Sequence, residues 1–210
     1  MNENKICSGW LCKNEKPGSA LVGAALILLL SISVGFIGYF AFYGHAHSDK
    51  TTYAEVEPVF ERHCVECHRG LFARGRYNLS SYDFAVSSRI RARVVPGNKE
   101  ASELIRRIRG QARPAMPLER PMMSREQIEL VEKWVDKGAR DARGNPADVP
   151  VNARVRIHGT LTGYWSLDDL LLLVDEDARI DDSPEPGDYV QVRGVIEKKG
   201  GIRATRIRPR

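Results

Sequence analysis

The sequence predicts three structural parts in series: a transmembrane helix, then an all-α domain, then a small all-β, OB-like barrel. Three observations carry that reading. The run ALVGAALILLLSISVGFIGYFAFY, Ala20 to Tyr43, holds no ionisable side chain other than tyrosine. From Thr51 to about Arg143 the chain carries helix caps and apolar residues spaced three and four apart. After Val149 the pattern changes to strict alternation interrupted by glycine turns.

The apolar run sets the first boundary. At 1.5 Å of rise per residue it reaches roughly 35 Å, enough for a hydrocarbon core of about 30 Å. It is longer than the apolar core of a cleaved signal and shows no polar face. Phe36, Tyr39, Phe40, Phe42 and Tyr43 gather at its C-terminal end, as in an interfacial aromatic belt. Lys5, Lys13 and Lys16 precede it, offset by Glu3 and Glu15, and this slight positive bias favours a cytoplasmic N-terminus. The expected organisation is a cytoplasmic segment (1–19), a membrane-spanning helix in contact with lipid (20–43), a helical domain (44–143), a linker (144–150) and a barrel (151–210). Everything beyond the helix is then periplasmic in a bacterial cell, on a single-pass protein of the inner membrane. Cys7 and Cys12 fall on the cytoplasmic side, where reduced thiols are the expectation.

In the helical part, Thr52 and Glu55 have capping-box spacing, and Tyr53, Val56, Phe60 and Cys64 fall on one face; Pro58 suggests the true first turn. A serine cap precedes Tyr82-Asp83-Phe84, Pro96-Gly97-Asn98 makes a turn, and a short helix covers Ala101 to Ile108. Ser124 and Gln127 box the last helix, whose core face is Ile128, Val131, Trp134 and Val135, and Gly138 is suited to end it. Such short helices, separated by long loops, bury little core for about 90 residues. A large internal hydrophobe would supply the rest.

The chemistry lies in ERHCVECHRG, Glu61 to Gly70. A Cys-x-x-Cys pair followed by histidine fits covalent haem, a zinc site or a thiol redox centre. Zinc needs about four ligands, and no second Cys/His pair follows Cys67 and His68. A dithiol exchanger sits in a parallel-sheet pattern, whereas here a helix precedes the pair. A structural disulfide would leave His68 and the thin core unexplained. Haem c fits each feature: Cys64 and Cys67 form thioethers, and His68 is carried beneath the iron as proximal ligand.

Cys64-Val-Glu-Cys67-His68, Leu79-Ser80-Ser81-Tyr82, Val95-Pro-Gly-Asn98 with Ala101-Ser-Glu-Leu104, Met116-Pro117, and the run from Ser124 to Ala139 together resemble the mono-haem cytochrome c domains first recognised in planctomycete proteins. The resemblance spans roughly Tyr53 to Ala139. It implies one covalent haem c and a methionine, at the position of Met116, as distal ligand. Ala115-Met116-Pro117-Leu118 stands where that family usually has Arg-Met-Pro-Pro. Among the methionines of the domain, Met116 lies between prolines in a loop, which favours it over the runner-up, Met122, and over Met123. His63 is too near the attachment site to reach the other haem face.

Arg89, Arg91 and Arg93 alternate, so they share a face on an extended segment and could meet haem propionates or an acidic partner. Trp134 reads as core. The region from Lys50 to Asp148 carries 19 Lys+Arg against 14 Asp+Glu, whereas Val149 to Arg210 holds 10 of each. Gly159-Thr-Leu-Thr-Gly163 and Gly187-Asp-Tyr-Val-Gln-Val-Arg-Gly194 are similar to the opening and core of small barrel domains without an active site. With only Tyr164, Trp165 and Tyr189 for stacking, the barrel is not expected to bind nucleic acid; docking or structural support is.

The expected function is a membrane-anchored, mono-haem c-type cytochrome, not an enzyme, that carries single electrons between respiratory partners or within a larger redox complex. The alternative is a tethered haem sensor that binds a small gas at a labile distal position. A peroxidase would want a paired distal histidine and arginine, which the sequence does not show.

Overall fold

The computed structural model describes residues 50–210, which form one compact unit. Four α-helices lead: α1 (Tyr53–His63), α2 (Tyr82–Ala85), α3 (Glu103–Ile108) and α4 (Arg125–Asp136). Six strands follow: β1 (Arg154–Gly163), β2 (Ser166–Leu167), β3 (Leu170–Leu171), β4 (Leu173–Ile180), β5 (Tyr189–Ile196) and β6 (Ile202–Pro209).

Local chemistry sets the helix ends. The Glu55 carboxylate accepts from the Thr52 backbone at 2.8 Å, and α1 starts there; Pro58 lies inside the helix rather than in its first turn. At α4 the Ser124 hydroxyl accepts from the Gln127 backbone at 3.3 Å, while the Gln127 side chain accepts from the Ser124 backbone at 3.0 Å. The chain leaves α4 through Gly138 at φ +92°, a conformation that glycine takes without strain. α1 and α4 pack through Tyr53, Phe60 and the fully buried Trp134, whose rings meet at centroid distances of 5.8 to 6.1 Å.

The expected fold class needs correction. Among the described residues no helix is long and apolar enough to cross a membrane, the longest having 12 residues; the candidate span 20–43 lies outside the described residues. The haem-motif region is not an all-α domain. Its four helices are short, and the segment between α2 and α3 is extended and turned, with Ala92 bridged to Val155 of β1. Ala92, Val95 and Ala101 bury their side chains in the core of the sheet, not among the helices. An isolated helical domain would leave those apolar groups in water, so the chain packs them where apolar surface is already gathered.

The C-terminal strands form a half-barrel. Their order is β3-β2-β1-β5-β6-β4, antiparallel except for the parallel pair β4 and β6. No ladder joins β3 to β4 among the described residues, and β3 is two residues long, too short to close the ring. One face carries the core: Val155, Ile157, Leu161, Val190, Val192, Ile196, Ile202 and Ile207 are buried. The other face presents His158, Tyr189 and several arginines.

α3 joins the helical part to β1, with Glu103 and Arg107 beside the His158 ring and Arg106 beside Gly159. Arg106 is wholly buried: its Nε donates to the His158 carbonyl at 2.7 Å, Nη1 to the Glu100 carbonyl at 3.0 Å, and Nη2 to the Asp168 carboxylate. Such a charge is tolerated only when nearly every donor is matched. Arg106 therefore fixes α3 against β1, and α3 lines the cavity described next.

Candidate functional site

The motif begins where α1 ends. Cys64 and Val65 both donate backbone N–H to the Phe60 carbonyl, at 2.8 and 2.9 Å, and the chain then tightens as His68 N donates to the Cys64 carbonyl at 3.0 Å. Val65 turns into the core and leaves Cys64 and Cys67, both free thiols, half-buried. The next loop holds the turn from outside: Arg74 N donates to the Cys67 carbonyl at 2.9 Å and Leu79 N to the His68 carbonyl at 2.8 Å.

His68 Nδ1 lies 3.0 Å from the Tyr77 carbonyl oxygen. A carbonyl only accepts, so the proton is on Nδ1 and the lone pair is on Nε2. Burial, the largest influence, lowers the His68 pKa against the opposing pull of the Tyr77 carbonyl, which favours the neutral ring. Burial also pushes the Cys64 thiol up to about 12. Tyr77 is itself fixed: its hydroxyl donates to the Ala85 carbonyl at 3.0 Å, and the Arg93 guanidinium lies 4.6 Å over its ring.

Cys64, Cys67, His68 and Met116 line one cavity of about 250 Å³. Leu79, Leu104 and Ile108 give it apolar walls, and half-exposed Leu118 marks where it reaches the surface. Met116 is brought there by a pinned loop. Its backbone N–H donates to the Arg107 carbonyl at 3.0 Å, the Arg107 side chain donates to the Pro114 carbonyl at 2.9 Å, and Arg113 N donates to the Tyr189 hydroxyl at 2.5 Å. Met123 also lines the cavity and is buried. Met122, the expected runner-up, is 51% exposed and does not line it.

Of the three alternating arginines, Arg91 and Arg93 line the cavity and the exposed Arg89 does not. Arg93 is 7% exposed and makes no ion pair among the described residues; one Nη donates to the Gly75 carbonyl at 2.7 Å, and burial lowers its pKa to about 10. Arg91 Nε and His63 Nε2 are buried, line the cavity and have no hydrogen-bond partner. The sequence reading missed Glu103 and Arg107, which line the cavity from α3 and reach the sheet. The Glu103 carboxylate accepts from Arg107 Nε at 2.7 Å and stands 2.9 Å from His158 Nδ1. Their spacing of four along a helix was the available signal.

Two thiols, a neutral imidazole with a free lone pair, a thioether, apolar walls and cations without counter-ions match a flat apolar group with acidic edges. The Cys64-Val-Glu-Cys67-His68 spacing is that of a c-type haem attachment motif. A family model described as planctomycete cytochrome C matches residues 64–119, from the first cysteine to just beyond Met116, and indicates a cytochrome c-like domain in that stretch. No curated protein and no solved structure matches the chain.

Proposed function

We propose that residues 50–143 hold one haem c and serve as a single-electron carrier. The observation that carries this reading is that Cys64, Cys67, His68 and Met116 line one cavity, with the His68 proton already committed to the Tyr77 carbonyl. Cys64 and Cys67 would hold the group through thioethers, and His68 Nε2 and the Met116 sulfur would bind its iron. When bound, the group supplies reversible one-electron chemistry. The protein's part is to keep His68 neutral and oriented, to hold Met116 on a loop tied to α3, and to surround the site with apolar side chains that limit water. Arg91 and Arg93 line the same cavity and would meet carboxylates of the bound group.

A carrier rather than an enzyme, exchanging electrons with redox proteins or within a larger complex, completes the proposal. The surplus of basic residues in 50–148 would steer it to acidic partners. A periplasmic location belongs to the same proposal and rests on the charge and hydropathy of the N-terminal residues. The test is spectroscopic. Haem should remain with the denatured chain and be lost in a C64A/C67A variant. Reduced wild-type protein should bind carbon monoxide poorly; ready binding in wild type, with an unchanged spectrum in Met116→Ala, would turn the assignment toward a gas sensor.

A further inference from the structure

The 10 basic and 10 acidic residues of 149–210 balance in number but not in space. Arg179, Arg203 and Arg206, toward the β4 edge, pair with Asp181, Glu197 and Asp181 at 2.8, 2.7 and 2.5 Å. The arginines around the start of β1 pair with no carboxylate among the described residues. Arg91, Arg154, Arg156 and Arg193 line a cleft of about 420 Å³ on the outer face of β1 and β5, with Gly194 and Thr205 also in its wall.

The cleft gathers like charge against the preferences of a sheet. Arg156 and Arg193 are directly opposed in the β1–β5 register, and Arg154 is two residues from Arg156 on the same face. Like charges so placed repel. Their mutual field lowers the pKa of Arg156, after burial, through Arg91, Arg193, Arg208 and Arg210. Arg91 Nε in the cleft wall is buried with no hydrogen-bond partner, as is Arg208 Nε on β6, outside that wall. Arg193 Nε is held by the Gln191 side-chain oxygen at 3.3 Å, which leaves its two Nη groups unengaged by any carboxylate. Among the described residues, Glu103, facing Arg91, and Asp181, acting on Arg208, oppose the positive field.

We propose that this cleft binds a compact oxyanion of phosphate type carrying two or more negative charges, held between the guanidinium forks of Arg156 and Arg193 and flanked by Arg154 and Arg91. Guanidinium matches such oxygens bidentately, and the concave shape suits a small group rather than an extended strand. The anion would satisfy the cluster's donors and relieve its self-repulsion. The site goes beyond electron carriage and stands whether or not the neighbouring cavity holds haem.

The test is calorimetric titration of the full-length, purified protein with pyrophosphate, with ionic strength matched by sodium chloride. Saturable one-to-one binding is expected, weakened at least tenfold in R156Q/R193Q and unchanged in R203Q, whose arginine is ion-paired elsewhere. If the double variant does not keep the wild-type circular dichroism, R156Q alone should still weaken binding severalfold. Tighter binding of inorganic phosphate than of glycerol 3-phosphate would assign the site to the free anion, and the reverse order to a phosphate ester. Absence of saturable binding, equal affinity in R156Q/R193Q, or binding only of anionic vesicles or acidic polypeptide would overturn the proposal. A chain without covalent haem would refute the carrier reading and leave this titration's meaning intact.

Discussion

His68 Nδ1 and the carbonyl oxygen of Tyr77 are 3.0 Å apart, and that contact fixes which imidazole nitrogen is available to a metal. Tyr77 keeps its place through a buried hydroxyl bond to the Ala85 carbonyl. His68→Ala should leave thioether attachment at Cys64 and Cys67 intact, so haem stays with the denatured chain, while the native spectrum changes from low spin to high spin. Tyr77→Phe should keep the low-spin spectrum and lower unfolding free energy by about 1 kcal/mol, the scale of one hydrogen bond. Visible spectra with urea titration separate the two outcomes.

Met116 and Met122 are six residues apart and differ in setting: the first lines the cavity, the second is half-exposed outside it. Met116→Ala should lower the reduction potential, because methionine ligation raises it, and should let the reduced protein bind carbon monoxide. Met122→Ala should match wild type in both respects. A redox titration of the two variants checks this, and the reverse pattern would move the distal ligand to Met122.

Arg106 is the structural hinge between α3 and the sheet, with its donors shared among the His158, Glu100 and Leu167 carbonyls and the Asp168 carboxylate. Removing one partner of a buried ion pair leaves the other uncompensated. Arg106→Ala should therefore lower unfolding free energy by about 3–5 kcal/mol. Gly159→Ala probes the same contact from β1, since a Cβ there would run into the charged ends of both Arg106 and Asp168. It should also destabilise, by less, because side-chain ends can shift where backbone cannot. Urea unfolding followed by tryptophan fluorescence gives both values.

The local devices were legible and the long-range ones were not. The capping boxes at Thr52 and Ser124, the CxxCH turn and the alternation in β1, β5 and β6 are short-range patterns, and each has a physical cause within a few residues. The sequence reading erred where partners lie far along the chain. Ala92, Val95 and Ala101 looked like part of a helical domain, yet their apolar surface is taken up by strands more than fifty residues away. Arg106 resembles any basic residue of a short helix, because its acceptors at His158 and Asp168 lie 52 and 62 residues further along the chain. The equal charge count of the last 62 residues likewise concealed their segregation into a paired edge and an unpaired arginine cleft. Of the candidate site, Cys64, Cys67 and His68 came from spacing, and Met116 from the family resemblance, with its loop between prolines as the weaker support. The α3 residues that wall the cavity were hidden because helix periodicity does not say which face meets a cofactor.

Glu132 on α4 gives the fold a defined acid sensitivity. Its carboxylate accepts from Arg109 Nε at 2.6 Å and lies 3.6 Å from the Lys99 ammonium. The Arg109 hydrogen bond, followed by the charges of Arg109 and Lys99, outweighs burial and holds the Glu132 pKa below the usual carboxylate range. A carboxyl whose folded pKa lies below its unfolded value binds protons more readily when unfolded. Its contribution to stability is therefore complete above the unfolded value of about 4.3 and is lost as pH falls through the lower folded value. Glu132→Gln should be less stable than wild type at about pH 7, and the gap should narrow as pH drops from the unfolded value of about 4.3 through the lower folded value, where wild-type Glu132 itself takes up a proton. Arg109 also holds Glu100, at 2.6 Å, so the variant keeps that half of the network and should remain folded for the comparison. Denaturant midpoints at the two ends of that pH range test the effect, and a gap that stays constant or widens in acid would show that Glu132 is not the titrating group.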